Sequence, residues 1–277
     1  MKLVSFDIRY FFNLLLPPII LNSGYDMHRQ NFFKHFGTIL TFALGGTFIS
    51  TLFIGTCFYT FLSISFYNLQ LSFLDCVIIG SILSSTDPVT ILSLFHQLGV
   101  DPKLYAIIFG ESLLNDSVAI VLFSTLGKLR GKELSLLNVL YGIGSFAGVF
   151  SGSLLIGVVA GLSCALLLKC TKLDKYPSLE TCLVVLQAYS SYLLSNALKF
   201  SGIVSLLFCG ITMKHYAYDN MSLESKHTTK SMFRVLSQLS ENFVFIYLGM
   251  TLFTATDLVF LPVLISFALV RFLMGLS

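Results

Sequence analysis

Apolar residues run along this chain in stretches of about 20, separated by short polar clusters. They set out about nine candidate membrane spans: 10–24, 36–65, 72–98, 104–126, 140–168, 178–198, 201–213, 231–253 and 257–276. Hydrocarbon offers the backbone no hydrogen-bond partner, so each span is expected to be helical. The third stretch is different, because Ser84, Ser85, Thr86 and Asp87 interrupt it just ahead of Pro88. Proline removes a backbone donor and disfavours the helical conformation at the residue before it, which predicts a helix broken over 84–88. The pattern as a whole predicts an all-α polytopic membrane protein.

On the fifth stretch Gly144, Gly148 and Gly152 recur every four residues, continued by Gly157 and Gly161. A stripe of this kind lets helices approach closely, and a packing role is expected for it.

Composition agrees with the pattern. Hydrophobic residues make up 55% of the chain and charged residues only 11%, with a mean hydropathy of +0.84, too little charge to cover a soluble domain of 277 residues. The net charge of +3 matters less than where the basic residues fall. Arg29 and Lys34, then Lys103, then Lys169, Lys172 and Lys175, then Lys214, Lys226 and Lys230 occupy loops on one side, which the positive-inside tendency assigns to the cytosol. Lys128, Arg130 and Lys132, in the loop 127–134, fall on the opposite side as an exception. No basic cluster of the kind that grips nucleic acid is present.

Other chemistry is thin. The six cysteines (Cys57, Cys76, Cys164, Cys170, Cys182 and Cys209) form no CxxC pair and are expected to be buried free thiols. The five histidines have no metal-ligand spacing, no catalytic pair for an intramembrane hydrolase is recognisable, and no cofactor is implied. The start of the chain runs into a proline-containing apolar segment without a signal-peptide cleavage site. Asn220-Met221-Ser222 has the form of a glycosylation acceptor on the side assigned to the cytosol, and Asn115-Asp116-Ser117 has that form inside a span, so neither is expected to be used.

The informative residues are the ionisable ones inside spans: Asp87, Glu111, Asp116, Glu241 and Arg271. Each costs about 2.5–3.5 kcal/mol at a bilayer centre, so five unpaired would cost roughly 12–17 kcal/mol, comparable to or above the stability of a folded protein. They must be paired, hydrated or loaded with ions, and a polytopic protein that keeps such groups reads as a transporter. Ser112, Asn115 and Asp116 are three and four residues apart on the fourth span and are expected to share one cavity, whereas Glu111 sits about 140° away from Asp116. Thr86 and Asp87 fall where a helix unwinds, a place where freed carbonyls can meet a small cation. A carboxylate there holds either a proton or a monovalent cation, and that competition exchanges the two when the acid titrates near the working pH. Arg271 is expected to neutralise Glu111, Glu241 or both and to lock helices together, while Asp75 and Glu180, at span ends, are expected to be solvated or capping.

These residues also carry a resemblance. FFNLLLPPIILNSGY at 11–25, SSTDPVTIL at 84–92, GESLLNDSVAIVLF at 110–123, SGIVSLLFCGI at 201–211 and SENFVFIYLG at 240–249 resemble, in order, motifs of the sodium/proton exchangers within the monovalent cation/proton antiporter superfamily. FCGITMKHYAY at 208–218 and SLETC at 178–182 are most similar to the endosomal or prevacuolar branch, its fungal members in particular. The resemblance implies part of an inverted-repeat antiporter fold over 1–277, and secondary active, electroneutral exchange of Na+ or K+ for H+ across an endosomal, prevacuolar or Golgi-related membrane. It implies no enzymatic activity, and a homodimer in the lipid bilayer. By matching position it makes Asp116 the exchange carboxylate with Asn115 as its partner, and gives Asp87, Thr86 and Ser112 to the cation and proton site. Glu111 and Arg271, with Glu241 nearby, match a structural ion pair, and Pro17 and Pro18 fall in the segment linked to amiloride-type inhibitors. Set against the family pattern, the chain is expected to be incomplete at both ends, without the second broken helix and the cytosolic tail. That leaves a second expectation, a transport-inactive fragment acting as a membrane-embedded interaction partner or dominant-negative subunit.

Overall fold

The computed structural model describes residues 10–25, 29–65, 72–85, 101–130, 136–171 and 176–254. Among them every regular element is helical. A π-helical turn at Phe11–Leu15 leads into α1 (Leu16–Tyr25), followed by α2 (Arg29–Lys34), α3 (Phe36–Ser65), α4 (Phe73–Leu83), α5 (Pro102–Leu129) and α6 (Leu136–Cys170). Then come α7 (Pro177–Ala197), α8 (Gly202–Thr212), which runs on through a π-helical turn at Met213–Ala217 and a 3₁₀ turn at Tyr218–Asn220, and α9 (Leu223–Thr254). The second half of the expected broken helix, with Thr86, Asp87 and Pro88, and the ninth expected span, with Arg271, lie outside the described residues.

Among the described residues three helices are long and apolar enough to cross a membrane by themselves: Phe36–Ser63, Lys103–Leu129 and Leu140–Cys170. The ends of the spans depart from the expected ones where amphipathic turns extend an apolar run. The clearest case is α9, which starts at Leu223 rather than at 231, so Lys226 and Lys230 sit on its first turns and not in a loop.

The helices pack in two groups. In one, α3 lies along α4 and both meet α5; in the other, α8 is enclosed by α1, α6 and α7, with α9 against α1 and α7. The groups share a core in which Ile39 and Ala43 of α3 and Leu114 and Val118 of α5 reach Phe146 of α6 and Phe208 of α8. A second core lies within the latter group and includes Leu21, Tyr25, Cys164, Val184 and Phe233, with Ile120 of α5 packed against it.

The entry to α1 shows how local sequence sets local structure. In the π-helical turn the N–H returns five residues back, as Leu16 does to Phe11, so Pro17 and Pro18, which have no N–H, leave the Phe12 and Asn13 carbonyls without those donors. The freed carbonyls find partners on α7: Tyr192 Oη donates to the Phe12 carbonyl at 2.7 Å and Tyr189 Oη to the Asn13 carbonyl at 3.1 Å.

Polar groups at the helix ends are tied down in the same way. Glu180, expected to be solvated or capping, is 1% exposed and caps a different helix: its carboxylate accepts from the Ser222 backbone N–H and from Ser222 Oγ, 3.0 Å away, at the start of α9. A carboxylate at a helix N-terminus satisfies the orphan donors and suits the helix dipole, which allows it to be buried there. Asp75 in the first turn of α4 pairs with Arg130 at 2.8 Å, so one of the three basic residues that break the positive-inside pattern is matched by an acid. Arg130 is 69% exposed, and the pair is worth at most about 1 kcal/mol. All six cysteines are free, but Cys170 and Cys182 are exposed and Cys57 half-buried, because they lie on outward faces or at a helix end; only Cys76, Cys164 and Cys209 are buried as expected.

The glycine stripe on α6 divides. A Cβ at Gly157 would lie 2.2 Å from the Ser205 carbonyl oxygen and one at Gly161 2.6 Å from Thr212 Cβ, so this half brings α6 onto the backbone of α8. Gly152 faces the Phe200 ring, while Gly144 and Gly148 have open space beside them. Gly157→Val is therefore expected to separate α6 from α8 and abolish a monodisperse peak in detergent size-exclusion chromatography. Gly144→Val is expected to leave that peak and the melting temperature within about 2 °C of the parent.

Candidate functional site

α4 ends at Leu83, ahead of the polar run, and Ser84 and Ser85 leave the helix toward α5. A helix that stops among other helices leaves carbonyls without the usual partners. Several are satisfied at once: Ser84 N–H returns to the Gly80 carbonyl at 2.9 Å, Ser84 Oγ donates to the Ser81 carbonyl at 2.8 Å, and Asn115 Nδ2 of α5 donates to the Ser84 carbonyl at 3.2 Å. Next along each element, Ser85 Oγ donates to Asp116 Oδ1. Two consecutive residues at the end of α4 thus meet two consecutive residues of α5.

From the other side α3 closes the arrangement. Thr47 Oγ1 lies against both the Ala43 carbonyl and Asn115 Oδ1, the latter at 2.6 Å, and Thr51 Oγ1 lies 3.3 Å from Ser84 Oγ. α3 and α4 come this close because of glycine: a Cβ at Gly80 would fall 2.6 Å from the Thr51 carbonyl oxygen, and one at Gly55 2.8 Å from Val77 Cα.

Asp116 opens into a cavity of about 360 Å³ between α1, α4, α5 and α8. Ser23, Ser85 and Ser117 supply its other polar groups, and Leu16, Ile120 and Ile203 are among its apolar walls. Ser112 and Asn115, expected to share this cavity, are 2% and 4% exposed, and the wall is formed by Asp116 and Ser117 instead. The reason is rotation: adjacent helix positions differ by about 100°, which is enough to turn Asn115 into the α3–α4 interface while Asp116 looks the other way.

Glu111 is half-buried on α5, and Glu241 accepts from Ser237 Oγ at 2.7 Å within α9. Their expected pairing with Arg271, like the contributions of Thr86 and Asp87, lies outside the described residues. Pro17 is buried in α1 and Pro18 half-buried; neither is among the cavity residues, although Leu16 beside them is. Among the described residues no group of three or more His, Cys, Asp or Glu side chains could hold a metal ion.

Thr47 and Thr51 are not among the residues expected at the site, and Ser84 and Ser85 are expected only as polar positions that interrupt the third stretch. Ser84 and Ser85 stand in the broken-helix motif, and Ala43, Thr47, Thr51 and Gly55 form a stripe of small and hydroxyl residues at four-residue spacing on an otherwise apolar helix.

With this geometry in hand, the comparisons decide the family. The family model described as "Sodium/hydrogen exchanger, transmembrane" matches residues 2–277. The chain belongs to the sodium/hydrogen exchanger family. It is 57% identical over 264 residues to an uncharacterized Na(+)/H(+) antiporter of Schizosaccharomyces pombe, covering 95% of this chain and 47% of that one. It is 54% identical over 265 residues to the endosomal/prevacuolar sodium/hydrogen exchanger of Saccharomyces cerevisiae, covering 96% of this chain and 42% of that one. Human sodium/hydrogen exchanger 7 is 43% identical over 284 residues, covering 99% and 39%. The chain thus spans less than half the length of these relatives. The structure of the sodium proton antiporter MjNhaP1 from Methanocaldococcus jannaschii at pH 8 shares the fold, with a TM-score of 0.68 at 20% identity over 87% of this chain and 57% of that one. This exchanger-family chain is therefore a polytopic helical membrane protein.

The cavity geometry predicts a difference between neighbouring positions. In a background with Cys170 and Cys182 replaced by serine, Asp116→Cys is expected to react with a small charged methanethiosulfonate added from the aqueous phase. Asn115→Cys is expected to stay unmodified over the same time, as mass spectrometry of the intact protein would show.

Proposed function

We propose that this chain forms the ion-exchanging part of a secondary antiporter that moves Na+ or K+ against H+ across an intracellular membrane, with Asp116 as the group the two cations contest. The observation that carries the reading is the placement of Asp116: a carboxylate within a membrane helix, open to a cavity between the two helix groups, and touched by the end of a second helix that stops inside the bundle. An acid at that depth is retained for a reason, and a site built at an interrupted helix suits a small monovalent cation.

The chemistry follows from occupancy. Deprotonated, Asp116 supplies one negative charge to a cation that has shed part of its water, with the Ser85 hydroxyl beside it. Protonated, it is neutral and the cation leaves. The neighbour of Asp116 is the amide Asn115, which takes up no second proton, so one carboxylate exchanges one monovalent cation for one proton and the cycle moves no net charge. Thr86 and Asp87 complete the site in this reading, Ser112 supports it from the buried face of α5, and Arg271 compensates Glu111 near Glu241.

Similarity to the Saccharomyces cerevisiae endosomal/prevacuolar exchanger supports an endosomal, prevacuolar or Golgi-related membrane, and family membership supports a homodimer. Luminal protons would then leave in return for cytosolic Na+ or K+, raising luminal pH.

The test is cation-driven proton flux in proteoliposomes, for this chain alone and for a chimera in which it replaces the matching segment of the Saccharomyces cerevisiae relative. Asp116→Asn is expected to reduce flux to the level of protein-free liposomes while leaving the amount of reconstituted protein unchanged. Flux that survives this substitution overturns the assignment.

A further inference from the structure

We propose that Thr47 is a positioning residue of the exchange site, its hydroxyl on Asn115 setting the register in which α5 presents Asp116 to the end of α4. The inference rests on the reading of Asp116 as the exchange carboxylate.

Thr47 is 2% exposed on α3 and is not among the residues lining the Asp116 cavity. Its hydroxyl could have had an ordinary role. Thr41 and Thr56 on the same helix return theirs to the carbonyl four residues back, at 2.8 and 2.7 Å, on exposed faces. Thr47 also lies against the carbonyl four residues back, that of Ala43, but Asn115 Oδ1, 68 residues away, is within 2.6 Å, so its one hydroxyl proton is shared between the two acceptors. A threonine that serves its own helix needs no such partner.

The consequence comes from what Asn115 does with its other end. Nδ2 donates to the Ser84 carbonyl at 3.2 Å, so the amide is gripped at Oδ1 by α3 and at Nδ2 by α4. An amide held at both ends has one orientation, because its oxygen only accepts and its nitrogen only donates. That orientation fixes the first of two adjacent contacts between α4 and α5, Ser84 with Asn115, and the second, Ser85 with Asp116, follows one residue along each chain. Thr51 supports the same end of α4 through Ser84 Oγ at 3.3 Å. Removing the Thr47 hydroxyl takes away one hold on Asn115 Oδ1, weakens the alignment of Nδ2 on the Ser84 carbonyl, and alters how closely Ser85 meets the Asp116 carboxylate. Cation affinity and proton affinity both depend on that contact, so both should move.

The experiment uses the chimera in proteoliposomes, matched for reconstituted protein, with sodium-driven proton flux measured across Na+ concentration and pH. Thr47→Val is expected to change the half-saturating Na+ concentration about five- to tenfold, as for one hydrogen bond lost, and to displace the pH profile. Thr47→Ser, which keeps the hydroxyl, is expected to restore both, and Thr56→Val to change neither. A Thr47→Val protein with parental Na+ dependence and pH profile overturns the proposal, as does a fall in maximal rate alone that serine fails to restore. Should the valine variant not reach the membrane, Thr47→Ala against Thr47→Ser decides: a shifted alanine with a parental serine supports the role, and indistinguishable variants overturn it. Asp116→Asn in the same series separates the two levels. An inactive Asp116→Asn beside a normal Thr47→Val removes only the role of Thr47, whereas flux in Asp116→Asn removes the reading on which it rests.

Discussion

A helix that ends inside a membrane must bring its own hydrogen-bond partners, and in this chain they come from two other helices. No water is available in hydrocarbon to take the carbonyls that α4 leaves exposed, and each one left bare costs several kcal/mol. Ser84 satisfies one with its own hydroxyl, and Asn115 reaches across from α5 to satisfy the carbonyl of Ser84. The interruption is useful because of these partners: it brings Ser85 to Asp116 without exposing unsatisfied backbone. The close α3–α4 contact at Gly55 and Gly80 belongs to the same requirement, since α3 could not otherwise bring Thr47 and Thr51 within reach.

The division into two helix groups gives this local arrangement a wider setting. α3, α4 and α5 carry the broken end and the carboxylate, while α1 and α8 form the opposite wall of the cavity. That wall has its own internal ties, which do not pass through Asp116. The π-helical turn before Pro17 is held to α7 by Tyr189 and Tyr192, and Glu180 fastens α7 to the start of α9. The α6–α8 contact at Gly157 and Gly161 is close and backbone-deep, whereas the walls of the Asp116 cavity meet through side chains around open space. The two groups are also joined, through the core that Leu114 and Val118 share with Phe146 and Phe208, so the cavity opens beside common packing and its walls are held from both sides.

Much of this was legible in the sequence, and what escaped has a common cause. Apolar run length located the helices, and the Ser-Ser-Thr-Asp-Pro run located the end of α4 to within one residue, because both depend on neighbours in the chain. Helical spacing placed Ser112, Asn115 and Asp116 on a common face, but periodicity resolves a face only to about a third of a turn, and the structure separates Asn115 from Asp116 by that amount. The start of α9 was set too late because its first turns are polar, and the capping that decides it is supplied by Glu180, 42 residues upstream. Thr47 escaped for the same reason: its partner is 68 residues away, and the stripe of small and hydroxyl residues it belongs to marks a close-packed face without identifying what packs there.

The pairing of amide with carboxylate follows from a conflict between two demands. The end of α4 needs a donor that keeps its proton in every state, because a carbonyl has nothing to give back. The proposed exchange needs an acceptor that gains and loses a proton. A second aspartate at 115 could meet the first demand only while protonated, and each deprotonation would set two charges side by side and release the Ser84 carbonyl together. An asparagine at 115 donates at all times, so the backbone contact stays made in both the charged and the neutral state that the proposed exchange gives Asp116. Separating the constant contact from the variable one is what would let a single carboxylate titrate, as proposed, without unfastening the helix end beside it.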